Sequence, residues 1–197
     1  MAALQWTFTK LAMHPDSIFS LIFLILLFGA QLIWRPSLFL SKARFLFLFS
    51  ILAVFIILAV YSIQQFLLWQ GDEISKFLLP PYQSINYFLS YAGIRFFLSY
   101  AISLFVAILG LGIGNWLNNR YGKRFFESNE LYLFAAALFL TGHPGWFYYL
   151  LGLLLVYLLM HLISLFVLLI LRVNLRLLPR FSVYYLWIAV AILVILV

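Results

Sequence analysis

The chain has 197 residues, of which 67% are hydrophobic and only 9% are charged, and its net charge is +7. A soluble domain is about half apolar and about a quarter charged, so this composition excludes an ordinary water-soluble fold. The cations flank apolar runs, which favours a membrane orientation signal over nucleic-acid binding. Because there is no cysteine, disulfides, thiol catalysis and cysteine-ligated metals are excluded as well.

The pattern of apolar runs predicts an all-α fold, a polytopic transmembrane bundle of about five or six spans. Each span needs about 20 apolar residues. The whole chain, residues 1–197, is interpreted as a single integral membrane domain. Its first apolar run is interpreted as a retained helix, because no small-residue cleavage site follows it.

The first two apolar runs cover residues 17–34 and 45–69. The first ends at Arg35-Pro36, and the sequence Gln-Gly-Asp-Glu at residues 70–73 interrupts the second. Both runs are apolar on all sides, which is typical of helices that face lipid. We therefore expect both to span.

Residues 77–93 are ambiguous, because Pro80-Pro81 opens them and polar residues such as Gln83 and Asn86 dilute their hydrophobicity. They form either a short span inside the bundle or a re-entrant or interfacial segment. If they span, Asp72 lies on the cytoplasmic side. If they do not, Asp72 lies outside, and the basic residues between 35 and 44 are cytoplasmic, which charge counting favours.

The run 96–117 is a clear span and contains Gly110 and Gly114. Two small residues at this spacing allow a second helix to approach closely, so we expect them to form a packing contact. No Lys-Ser/Thr pair follows these glycines, so nothing else supports a phosphate-binding loop.

The last part of the chain alternates polar loops with apolar runs. The polar loop 118–130 precedes a short run at 131–141, a turn at 142–145 and a long run at 146–171. Arg172, Arg176 and Arg180 then precede a final run at 182–197. Both basic clusters should face the cytoplasm, which places the turn and the C-terminus on the opposite side.

Three polar residues inside apolar runs are candidate intramembrane sites, namely Gln64, Gln65 and His161. Two adjacent amides cannot both face lipid cheaply. An ionisable residue inside a span is a functional candidate, although a neutral histidine bonded to a neighbouring helix is the plainer interpretation. No second ligand is suitably spaced from His161, so we expect no metal and no cofactor.

The chain has only five acidic residues, and two of them, Asp72 and Glu130, stand at predicted helix boundaries. If residues 77–93 span, both lie on the same side of the membrane. Two adjacent carboxylates can share a proton and activate water, as in aspartic proteases. The alternative is two unrelated surface carboxylates.

From Glu130 to Gly142, an acid-led apolar helix ends in glycine, and His143-Pro144-Gly145 follows as a turn. Leu178-Pro179 then precedes the final run. This layout resembles the type IV prepilin peptidase family, polytopic aspartic peptidases of the inner membrane. The resemblance implies that Glu130 occupies the position of the second catalytic aspartate.

The resemblance also implies that Asp72, eight residues before Pro80, occupies the position of the first catalytic aspartate. The family's Gly-x-Gly-Asp-Lys signature is not intact, because Ser128 and Asn129 replace the glycines and Tyr132 stands near the lysine position. The family's cysteine-pair zinc segment is absent as well.

Three functions stay open. The first is a non-enzymatic or degenerate subunit of a membrane assembly with prepilin-peptidase-like layout. The second is a divergent intramembrane peptidase that uses Asp72 and Glu130. The third is a small transporter or lipid-handling protein with a polar cavity. The expected partners are membrane lipids and other membrane chains, without nucleic acid, and the expected location is a bacterial inner membrane.

Overall fold

The protein is all-helical, as predicted. A computed structural model describes residues 15–122, 126, 127, 129–171 and 184–197, and these residues contain no strand. A 3-10 turn, Ser75–Leu78, follows α2, and a π-helical turn, Gly93–Phe97, joins α3 to α4 without a break. The α-helices are α1 (Pro15–Ile33), α2 (Pro36–Gly71), α3 (Ile85–Ala92), α4 (Leu98–Arg120), α5 (Glu130–Leu140), α6 (Gly145–Leu171) and α7 (Leu186–Leu196).

Among the described residues, three helical segments are long and apolar enough to cross a membrane. They are Pro36–Gly71, Ile85–Arg120 and Gly145–Phe166. This number is fewer than the five or six spans predicted, because the apolar stretches of the other helices, Ser17–Ile33, Glu130–Leu140 and Leu186–Leu196, have 17 residues or fewer. The 11 residues of α5 or of α7 extend about 16 Å, roughly half of a hydrocarbon core.

The first two long segments form an antiparallel hairpin. Phe55 packs on Phe97 with 6.0 Å between ring centroids, and Phe66 packs on Phe88 at 5.2 Å. Residues 77–93 are therefore not a separate span, since they form the turn of the hairpin and the start of its second helix. Arg35 and Arg120 consequently lie at one end of the hairpin, and Asp72 lies at the other.

Helix α5 is the centre of the main core. Its sequence Glu-Leu-Tyr-Leu-Phe-Ala-Ala-Ala-Leu-Phe-Leu is apolar on all sides after the first residue, which is typical of a fully buried helix. It packs against α1, α2, α4, α6 and α7, and nine of its eleven residues are buried. We call this assembly the body: α1, α5, α7 and the parts of α2, α4 and α6 that surround α5.

Two glycines set the distance between α4 and α5. A Cβ atom on Gly110 would lie 2.9 Å from Phe134 Cε1, and one on Gly114 would lie 2.7 Å from Leu131 Cδ2. Real Cβ atoms do not approach other atoms this closely, so any larger residue would force the side chain of Phe134 or Leu131 to shift, or the helices to separate. By contrast, nothing lies within 4 Å of a Cβ on Gly112.

Beyond the body the hairpin continues as a separate two-helix projection, residues 59–96, which we call the arm. It has a small core of its own, in which Leu79, Phe88 and Ala92 are buried against Phe66 and Trp69. A helix of 36 residues extends about 54 Å, and about 41 Å along the membrane normal even at a 40° tilt. Part of the hairpin must therefore lie outside a hydrocarbon core of about 30 Å.

The π-helical turn lies where the arm meets the body. Every fourth residue from Phe88 to Tyr100 packs into the core of the arm or of the body, and these residues are Phe88, Ala92, Phe96 and Tyr100. In a regular α-helix, that spacing would drift by about 40° at each step. The wider turn at Gly93–Phe97 takes up the additional residue, so the arm and the body use the same side of one continuous helix.

Replacing Gly114 tests the contact between α4 and α5. We expect Gly114→Leu to destabilise the protein by about 1–3 kcal/mol, because the new side chain must displace the buried Leu131. Gly112→Leu is the matched control, and its effect should stay within about 1 kcal/mol because that position is open. The measurement is unfolding in detergent, and equal effects of the two substitutions would contradict the packing.

The hairpin topology is testable with single cysteines, since the natural chain has none. Ser37 and Gln83 are both exposed and lie near opposite ends of the hairpin. We expect a membrane-impermeant maleimide to label Ser37→Cys and Gln83→Cys from opposite sides of the membrane. Labelling of both from one side would exclude this topology.

Candidate functional site

Asp72 is an exposed residue directly after α2, at the tip of the arm. Its carboxylate oxygen Oδ2 accepts a hydrogen bond of 2.8 Å from the backbone N–H of Ser75. Hydrogen bonding by Ser75 holds the pKa of Asp72 below its usual range. Asp72 therefore closes a local turn as an ionised, solvated carboxylate.

Glu130 is the first residue of α5 and is only 3% exposed. Its Oε1 accepts a hydrogen bond of 2.9 Å from Trp187 Nε1, and its Oε2 accepts one of 2.9 Å from the backbone N–H of Glu127. Glu130 lies outside the three spanning segments, and burial raises the pKa of its carboxyl. Both oxygens are already engaged in holding the start of α5 to α7 and to the preceding loop.

The structure does not bring Asp72 and Glu130 together. Tyr132 packs on Phe47 and Phe139 packs on Phe55, so α5 lies parallel to the first half of α2. Asp72 follows Phe47 by 25 positions, and at 1.5 Å per residue the two carboxyl groups are about 35–40 Å apart. A shared-proton dyad needs carboxyl groups about 3 Å apart, so this arrangement cannot form one.

Glu130 instead belongs to a group of polar side chains near the basic end of the body. We call this group the basal cluster and define it as Gln31, Asn118, Glu130, Tyr184 and Trp187. Gln31 Nε2 donates a hydrogen bond of 2.6 Å to the backbone carbonyl of Tyr184, and Asn118 bonds both backbone groups of Phe126. These bonds connect the ends of α1, α4, α5 and α7.

Burial raises the pKa of Tyr184 to about 12, and the nearby carboxylates of Glu127 and Glu130 add to the increase. The phenol therefore stays neutral in the physiological range. Gln31 is fully buried, and among the described residues its Oε1 has no hydrogen-bond partner. The hydrogen bonds of the cluster hold neighbouring helix ends together, which is typical of a structural joint.

Sequence reasoning named Glu130 but missed the other members of this cluster. The sequence does mark Gln31 as unusual, because it is the one amide side chain in the first apolar run. In the structure it lies beside the start of α7. Nothing in the sequence marks Trp187 or Tyr184 as a polar contact, since aromatic residues are common at the ends of membrane helices. Their pairing with Glu130 and Gln31 depends on the packing of α7 against α1 and α5.

The predicted intramembrane polar residues do not meet in a cavity. Gln64 and His161 are exposed on the outer surfaces of α2 and α6, and Gln65 is half-buried in the arm. Gln83, Asn86 and Asn115 are also exposed. Within the described part of the chain, no three potential metal-ligating side chains lie close together. Gly110 and Gly114 are the two predicted residues that the fold places side by side.

Comparison with known proteins gives no family, because no family model, no curated protein and no solved structure matches the chain. The resemblance to prepilin peptidases therefore stays a prediction from layout.

A double-mutant cycle tests the bond between Glu130 and Trp187. We expect Glu130→Met and Trp187→Phe each to destabilise the protein, with a coupling of about 1–2 kcal/mol between them, because each removes one partner of the bond and leaves the other's polar group unpaired. Unfolding in detergent, followed by tryptophan fluorescence, measures the effect. Trp34→Phe, at an exposed position, is the control and should change stability by less than about 0.5 kcal/mol. Additive single effects would exclude the coupling.

Proposed function

We propose that this protein is a non-enzymatic integral membrane subunit whose arm binds another membrane protein chain. The observation that carries this proposal is the arm itself, a two-helix projection with a minimal core and a large exposed apolar surface. The two hairpin helices that carry the arm are each longer than the hydrocarbon core is thick, and α1, α5, α6 and α7 contribute no residue to the core of the arm.

Eleven large apolar side chains of the arm are between 43% and 80% exposed. An apolar surface of this extent is unfavourable in water and marks an interaction site. The eleven exposed side chains are Val60, Ile63, Leu67, Leu68, Ile74, Phe77, Tyr82, Ile85, Tyr87, Leu89 and Ile94. Lipid can cover those inside the hydrocarbon core, so a protein partner is needed for the part that extends beyond it.

The arrangement of polar groups gives less support to the other two functions. A peptidase that uses Asp72 and Glu130 would need the two carboxyl groups in contact, and they are about 35–40 Å apart. A transporter would need polar residues facing a cavity, whereas Gln64, Gln83 and His161 face outward. Inside the body, the hydrogen bonds of Glu130 and Gln31 join the ends of helices.

The charge distribution supports an orientation for this subunit. Arg35, Lys42, Arg44 and Arg120 are exposed at the end of the hairpin opposite the arm tip. The positive-inside rule makes that end cytoplasmic, so the arm extends on the other side of the membrane. The cluster Arg172, Arg176 and Arg180 lies outside the described residues, and a bacterial inner membrane stays a prediction.

Replacing one exposed arm residue tests the proposed assembly. We expect Leu68→Gln to reduce the native mass of the complex in mild detergent, because an amide in the interface loses apolar burial and is desolvated. Leu154→Gln on the outer surface of α6 is the matched control, since Leu68 is 67% exposed and Leu154 is 63% exposed. Its complex should keep the wild-type mass.

The measurement is native gel electrophoresis together with light scattering on membranes solubilised under identical conditions. A wild-type protein that is a lone monomer in the native membrane, or an unchanged mass for Leu68→Gln, would contradict the proposal. Both variants should lose a similar amount of stability, because each replaces an exposed apolar side chain of a spanning segment with an amide.

A further inference from the structure

We infer that the partner of the arm is the arm of a second copy of this chain, so that the two hairpins form a four-helix bundle. This inference rests on the proposed function and makes it more specific. Four observations carry it: the incomplete core of the arm, its apolar area, its charge and its position relative to the membrane.

The arm is half of a familiar packing unit. It presents two antiparallel helices with a core of only three buried side chains, Leu79, Phe88 and Ala92. Antiparallel hairpins of this kind complete their cores as four-helix bundles, in which each helix packs against two neighbours. A second hairpin supplies the missing half with a surface of the same length and composition.

The exposed area is sufficient for a stable pair. Eleven large side chains that each expose about half of roughly 200 Å² give on the order of 1,000 Å² of apolar surface on the arm. A standard interface buries roughly 800 Å² on each partner. One hairpin therefore has enough apolar surface for one interface. Obligate interfaces are more apolar than transient ones, so an apolar surface fits an obligate pair.

The charge of the arm permits association with itself. The described arm contains two acids, Asp72 and Glu73, and two bases, Lys76 and Arg95, so its net charge is zero. All of the acids and one of the bases lie at its tip, where opposite charges of two copies can pair. The other end of the hairpin is entirely basic, so two copies would repel each other there.

Insertion in the membrane fixes how two copies are oriented relative to each other. Two copies inserted with the same orientation present their arms on the same side and at the same height. A two-fold axis along the membrane normal then places identical surfaces opposite each other, which is the isologous arrangement of most homodimers. No vertical shift of either copy is needed, whereas an unrelated partner would have to match this height separately.

Cysteine cross-linking in native membranes tests the inference, because the natural chain has no cysteine. Single cysteines replace Ile63, Leu67, Leu68 and Ile94 in the arm, and Leu154→Cys on α6 is the control at matched exposure. Each variant is expressed in two forms of different tag and mass. The membranes are treated with a bismaleimide that spans about 10 Å, the distance between packed helices.

We expect at least one arm cysteine to join the two tagged forms at several-fold higher yield than Leu154→Cys. Equal yields at the arm and at Leu154 would overturn the inference, since they indicate random collision. A cross-link from the arm only to a different protein would also overturn it, but would leave the proposed function standing. If no arm position cross-links and the native mass is that of a monomer, both the inference of a homodimer and the proposed function are wrong.

Discussion

The burial of one short helix is the constraint on which the rest of the body depends. Helix α5 is apolar on all sides and satisfies its own backbone hydrogen bonds, so it can lie among five other helices without contact with water. Its narrow alanine segment and the glycines of α4 bring the helices close. The buried carboxylate of Glu130 then anchors its first turn to Trp187 on α7, which fixes the depth at which the last helix packs.

The class of the protein could be predicted from composition, because apolar runs in a nearly uncharged chain leave only a membrane helical fold. The number of spans could not be predicted, since residues 77–93 carry signals of both a turn and a helix, and Arg95 separates them in the sequence from the run with which they form one helix. The spacing of Gly110 and Gly114 predicts a helix contact, but it does not predict that Phe134 and Leu131 are the residues they contact. Tertiary packing supplies that information, and a single sequence does not contain it.

The candidate site shows why sparse polar residues mislead a sequence-based analysis. Asp72 and Glu130 seemed comparable because both mark helix boundaries, yet one closes an exposed turn and the other is a buried joint. Gln31 attracted no attention and proves to be buried against α7. In a chain with so few polar groups, most of them are needed to specify how helices meet. That use leaves the outer apolar surface as the feature most relevant to function.

The π-helical turn at Gly93–Phe97 accommodates one residue more than a regular turn would, in a helix that is otherwise α-helical. Losing that residue would restore a plain α-helix and rotate its arm half by about 100° relative to its body half. Because α2 runs through both the arm and the body, Phe88 and Ala92 would then turn away from Phe66 and Trp69, so a single residue decides whether the arm keeps its core.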